Sequence, residues 1–93
     1  MEAIDIVNEI EKNNNYVQDG LDYYMDCKVS VNNVNTRCEQ ISIVQCDLTK
    51  EGMSSFELLL ELRRGDFITW VLLEDIESLK VNEFKKGSGV FVK

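Results

Sequence analysis

Three cysteines and seventeen carboxylates are the reactive side chains of this 93-residue chain, and their spacing offers little chemistry. Histidine is absent, which removes the commonest neutral-pH base and every histidine-dependent triad. Cys27, Cys38 and Cys46 show no C-x-x-C spacing, and no histidine completes a tetrahedral zinc site. Their odd number and wide spacing read as reduced thiols and not as a disulfide framework. A nucleophilic thiol needs a cationic partner or a helix N-terminus. All three cysteines fall in strand-like segments and read as small buried apolar residues.

Carboxylates fare no better. Glu57 and Glu61 could share a helical face or alternate along a strand, but a chain this small seldom builds the cleft a catalytic pair needs. Asp19, Asp22 and Asp26 cluster near Gly20 without the alternating ligand spacing of a calcium loop. Gly87-Ser88-Gly89, after Lys85-Lys86, lacks both halves of a phosphate-binding signature and reads as a turn. The expectation is a non-enzyme with no catalytic residue, no metal and no cofactor.

What stands out is uneven charge. The first 26 residues carry seven acids, Glu2, Asp5, Glu9, Glu11, Asp19, Asp22 and Asp26, against Lys12 alone. A second acidic group, Glu74, Asp75 and Glu77, lies in a stretch balanced only by Lys80. The whole chain is at −7. Such a field repels phosphate backbones and attracts basic protein surfaces, so direct nucleic-acid binding is not expected. The 44% hydrophobic content argues for folding. No run reaches the roughly 18 apolar residues of a membrane span. Acid stands near the N-terminus where a secretory signal carries base. The expected location is therefore the cytoplasm.

The elements that must position these residues are short. Ala3, Ile6, Val7 and Ile10 predict a helix over 2–12, ended by Asn13 to Asn15 through the left-handed conformation asparagine tolerates. After a turn at Asp19-Gly20, the period becomes two. Tyr23, Met25, Cys27, Val29 and Val31 point one way, and Tyr24, Asp26, Lys28 and Ser30 the other. Asn32 to Asn35 reverses the chain into a strand over 36–46, where the apolar parity shifts between Ile41, Ile43 and Val44, Cys46, as at a bulge or a strand covered on both faces. Residues 56–64 fit either element. A capping box at Ser54 and Glu57 favours helix. Alternation of Phe56, Leu58, Leu60 and Leu62 inward favours strand, and the hairpin turn Arg64-Gly65-Asp66 before Phe67–Leu72 tips the reading to strand. A helical turn over 74–78, a strand over 79–81 and a last strand over 90–92 complete the list.

This predicts one α+β domain over 1–93: a short N-terminal helix on a curved antiparallel sheet of five or six strands. The strand, helical turn and strand of Ile68 to Val81 resemble SH3-like and Sm-like barrels in architecture, which implies that the sheet could close on itself. The functional expectation is a non-catalytic acidic protein-binding domain, an adaptor, subunit or modulator of a partner with a basic surface. The seven N-terminal carboxylates form its patch, Glu74, Asp75 and Glu77 a second one, and Tyr24 and Trp70 the interface aromatics. A homo-oligomer through an exposed sheet edge is compatible with this reading. One alternative is charge mimicry, in which a viral or mobile-element inhibitor of the anti-CRISPR kind blocks a basic nucleic-acid-binding protein. The other is a small nucleic-acid- or ligand-binding barrel.

Overall fold

The computed structural model describes residues 1–50 and 52–84. Helix α1 spans Ala3–Glu11, and six strands follow: β1 Val17–Asp19, β2 Asp22–Val31, β3 Val34–Lys50, β4 Met53–Arg64, β5 Phe67–Leu72 and β6 Leu79–Glu83, with a 3-10 turn at Leu73–Asp75. All pairings are antiparallel, in the order β1-β2-β3-β4-β5, and β6 returns to β2. One edge of β2 is shared end to end. β1 takes residues 22–24 and β6 takes residues 27–31.

Strand β2 shows why this sequence folds this way. Tyr23, Met25, Cys27, Val29 and Val31 are all buried, as alternation requires. The parity change expected at Ile43 and Val44 is a different place, where β3 stays in unbroken register with β4; the register of β2 against β3 shifts between Tyr24 and Cys27. Cys38, Ile41 and Ile43 are consequently all buried despite their mixed spacing. Leu60 and Leu62 of β4, Ile6 and Ile10 of α1, Leu73, Ile76, Leu79 and Val81 complete the core. Residues 56–64 belong to a strand, and their helix-forming composition is overridden by pairing with β3 and, over 59–64, with β5.

Turns follow their residues. Asn32 and Asn33 both have positive φ, 49° and 69°, as a two-residue hairpin turn demands. Gly65 (φ 59°) starts the turn into β5. Helix α1 ends by a different device from the expected left-handed asparagine. Asn13 Nδ2 donates to the carbonyls of Glu9 (3.4 Å) and Ile10 (3.3 Å), satisfying the orphan acceptors directly.

Several expectations need correction. The exposed strand β1 was not foreseen, because Val17-Gln18-Asp19 buries nothing and carries no period. β3 is longer than the 36–46 expected, since polar Gln45 and Asp47 stay in register with β4. Phe56 and Leu58 share the inward face of Leu60 and Leu62 but are exposed, because β3 and β4 run on past the core as a two-stranded arm. No ladder joins β5 to β6 among the described residues, so the sheet is curved but not closed as an SH3-like or Sm-like barrel. The expected turn at 87–89 and strand over 90–92 lie outside the described residues.

Asn32 ties the β2–β3 turn to the far side of the fold. Its Nδ2 donates to the Asp75 carbonyl (2.8 Å), and its Oδ1 accepts the amides of Glu77 (2.7 Å) and Ser78 (3.0 Å). Asn32→Ala deletes all three bonds and places an alanine at positive φ. It should cost about 2–3 kcal/mol in urea unfolding, of which Asn32→Gly recovers about 1 kcal/mol by relieving the backbone alone. Equal losses in the two variants would remove the backbone from this account.

Candidate functional site

The carboxylates of the first 26 residues have several different partners. Asp5 accepts the Glu2 amide (3.1 Å), so this pair closes the first turn of its own helix. Glu9 is bridged to Lys12 and accepts the Val81 amide (2.9 Å). Glu11 accepts the Tyr23 hydroxyl (3.2 Å). Asp26, in the β2 bulge, is gripped by Arg37 through Nε (3.3 Å) and Nη2 (3.1 Å), and the same guanidinium stacks 4.7 Å over Phe84. Asp19 and Asp22 face each other across the β1–β2 turn. Four of the seven, Asp5, Glu9, Glu11 and Asp26, thus serve internal partners.

Glu74, Asp75 and Glu77 are exposed around the 3-10 turn, held there by Asn32. Tyr24 (42% exposed) and Trp70 (59%) both stand on the outer sheet face. β3 and β4 separate them, so they form no single anchor. Trp70 Nε1 donates to Glu61 (2.8 Å), its cross-strand neighbour. Among the described residues no group of three or more cysteines and carboxylates is placed to hold a metal ion.

A concavity among the described residues lies elsewhere. An open groove of about 770 Å³ runs between the start of α1, the β3–β4 arm and the 3-10 turn. Its apolar lining is Ile4 (59% exposed), Phe56 (69%) and Leu58 (42%), with Met1 and Leu73 at its base. Glu2 and Glu74 supply charge at its rim, whereas Glu57 lines it from a β4 position whose side chain alternates to the face opposite Phe56 and Leu58. Neither Glu57 nor Glu74 has a cationic partner among the described residues. The Met1 ammonium donates to the carbonyls of Leu73 (2.9 Å) and Ile76 (3.2 Å), which joins the helix start to the 3-10 turn.

No known protein family, curated protein or solved structure matches this chain. Function must therefore be argued from the groove itself.

Sequence reasoning placed Phe56 and Leu58 in the core and passed over Ile4, which sits off the stripe of Ile6 and Ile10. A signal did exist. Phe56 and Leu58 pair with Asp47 and Gln45 on the same face, and a core strand does not meet polar neighbours at two successive inward positions. A second hollow of about 270 Å³, near Val31, Val34, Leu62 and Val71, has no titratable side chain in its lining.

Tyr23 links the helix carboxylates to the core and sets an alkaline limit. Burial first, then the hydrogen bond to Glu11, raises its hydroxyl above the ordinary 10.0. The folded state therefore holds this proton more tightly than the unfolded chain. Its contribution is complete below the ordinary tyrosine value and is lost as pH rises through the raised one. Stability measured by denaturant titration should fall above about pH 10, and Tyr23→Phe should flatten that fall. An unchanged alkaline slope in Tyr23→Phe would assign the loss to other groups.

Proposed function

We propose that this chain is a non-catalytic protein-binding module, an adaptor, subunit or modulator, whose groove takes a segment of a partner that is both basic and apolar. The observation that carries this is the coexistence, in one open groove, of exposed Ile4, Phe56 and Leu58 with Glu74, a carboxylate without a cationic partner among the described residues. Apolar side chains left in water at the lip of a hydrophobic core favour a partner that covers them. The carboxylate selects the charge of that partner and speeds its encounter. An open trough of this kind suits an extended or helical segment better than an enclosed small molecule. No helix among the described residues is long and apolar enough to cross a membrane, so the apolar surface is not explained by a spanning helix.

Charge mimicry has weaker support, since Glu9, Glu11 and Asp26 are each occupied by internal partners. The acidic regions still bias the groove toward a cationic ligand at longer range.

The test is titration of the isotope-labelled chain with two synthetic amphipathic peptides, identical except that one carries lysines and the other glutamates on the polar face. The lysine peptide should shift resonances of residues 2–4, 56–58 and 73–74, and the glutamate peptide should not. Phe56→Ser with Leu58→Ser should weaken binding about 30-fold or more while leaving the thermal transition nearly unchanged, because both side chains are already exposed. Glu74→Gln should cost about threefold at low salt and little near 0.5 M salt, where screening is strong. Binding that survives the Phe56 and Leu58 changes, or that maps to Tyr24 and Trp70, would move the site to the outer face.

A further inference from the structure

Cys27 and Cys38 occupy directly opposed positions on β2 and β3. Both are completely buried, and their sulfur atoms lie 3.6 Å apart in a thiol–thiol contact. Opposed antiparallel residues bring their Cβ atoms to about 4.5–5.5 Å, close to the ~3.5–4.5 Å that a disulfide needs. Closing the remaining gap to a bond of about 2.05 Å asks for small side-chain rotations and no change of register. Cys46, eight residues further along β3, belongs to the β3–β4 ladder opposite Glu57 and has no thiol neighbour among the described residues.

From this juxtaposition we infer that Cys27 and Cys38 are a reversible two-electron oxidation site, which closes as an intramolecular cross-strand disulfide at the expense of a hydroperoxide. The inference is independent of the binding groove. Cys38 is the attacking sulfur. The hydrogen bond with Cys27 favours its thiolate, and the same bond together with burial holds the Cys27 proton in place. The Cys38 thiolate attacks a peroxide oxygen, the O–O bond breaks, and the departing hydroxide takes up the thiol proton as water. Cys27 sulfur then attacks the Cys38 sulfenic sulfur. The S–O bond breaks, and that hydroxide leaves with the Cys27 proton as a second water. Two thiols have lost two hydrogen atoms, and one peroxide has been reduced to two waters.

Access comes from the end of β6. The pair Cys27↔Glu83 is the last of the β2–β6 ladder among the described residues, so local opening of that strand end would uncover β2 at the cysteine without unfolding the core. The end is clipped by the Phe84 amide on the Asp26 carbonyl (3.0 Å) and by Arg37 over the Phe84 ring. Peroxide is small enough to enter through such an opening.

The full chain, reduced and folded, is treated with hydrogen peroxide, alkylated, and mapped by mass spectrometry without reduction. The expected product has lost two hydrogen atoms, links the Cys27 and Cys38 peptides, leaves Cys46 alkylated, and reverts with dithiothreitol. Cys46→Ser should behave identically. Cys27→Ser should leave a Cys38 sulfenic acid that dimedone traps, and Cys38→Ser should give none at Cys27. A bridge through Cys46, a bridge between two chains, or three free thiols in peroxide-treated protein that is still folded would each overturn the inference. Connectivity in the unmutated chain decides the matter even if a cysteine variant fails to fold.

Discussion

Strand β2 is the element on which the rest of the structure depends. Except at the bulge of Met25 and Asp26, it is flanked by β3 on one side and by β1 and β6 in succession on the other. A strand so enclosed must be hydrogen-bonded on both edges, and its five inward side chains then define where the core lies. The return of β6 to β2 matters most. It brings the C-terminal part of the described chain against its centre, and the Asn32 clamp fixes that return at one end while Arg37 and Phe84 fix it at the other.

The same logic explains why α1 sits where it does. β6 pairs with β2 on one edge and would present bare amides and carbonyls on the other, an invitation to pairing with another chain. The helix answers it with side chains. Glu9 accepts the Val81 amide and Asn13 donates to the Val81 carbonyl. Both backbone groups of one edge residue are thus satisfied from α1, while Ile6 and Ile10 pack beneath. An acidic residue that composition alone assigns to a surface field is in fact occupied in guarding a strand edge. A count of carboxylates along the chain therefore overstates the field available to a partner.

Much of this fold was legible because β2, β4 and β5 alternate or carry β-branched and aromatic residues, and because the turns are spelled by Asn32-Asn33 and Gly65. What was not legible had physical causes. Strand β1 buries nothing, so neither propensity nor period marks it. Sheet closure is a matter of curvature and edge distance, which no local pattern of Ile68 to Val81 encodes. The face of Phe56 and Leu58 was read correctly, but their burial was not, because alternation reports the side of a sheet and not whether anything covers that side. Tyr24 and Trp70 were foreseen as aromatics for an interface, and both are exposed, yet two strands lie between them.

The arm formed by β3 and β4 beyond Ile43 and Leu60 is the part of the molecule least explained by stability. A two-stranded ribbon gains little on its own in water, and this one extends apolar side chains over polar neighbours. If its purpose were only to complete the sheet, ending both strands at the core boundary would leave the core intact, since Phe56 and Leu58 contribute little to it. Instead the arm forms one wall of the groove, the start of α1 forms another, and the ammonium of Met1 locks that helix start to the 3-10 turn. Three separate elements converge on one apolar trough without closing it. A fold that spends chain length to keep Ile4, Phe56 and Leu58 in water is what the proposed binding role requires, and under that proposal the Glu74 carboxylate beside them suits a covering segment that carries positive charge.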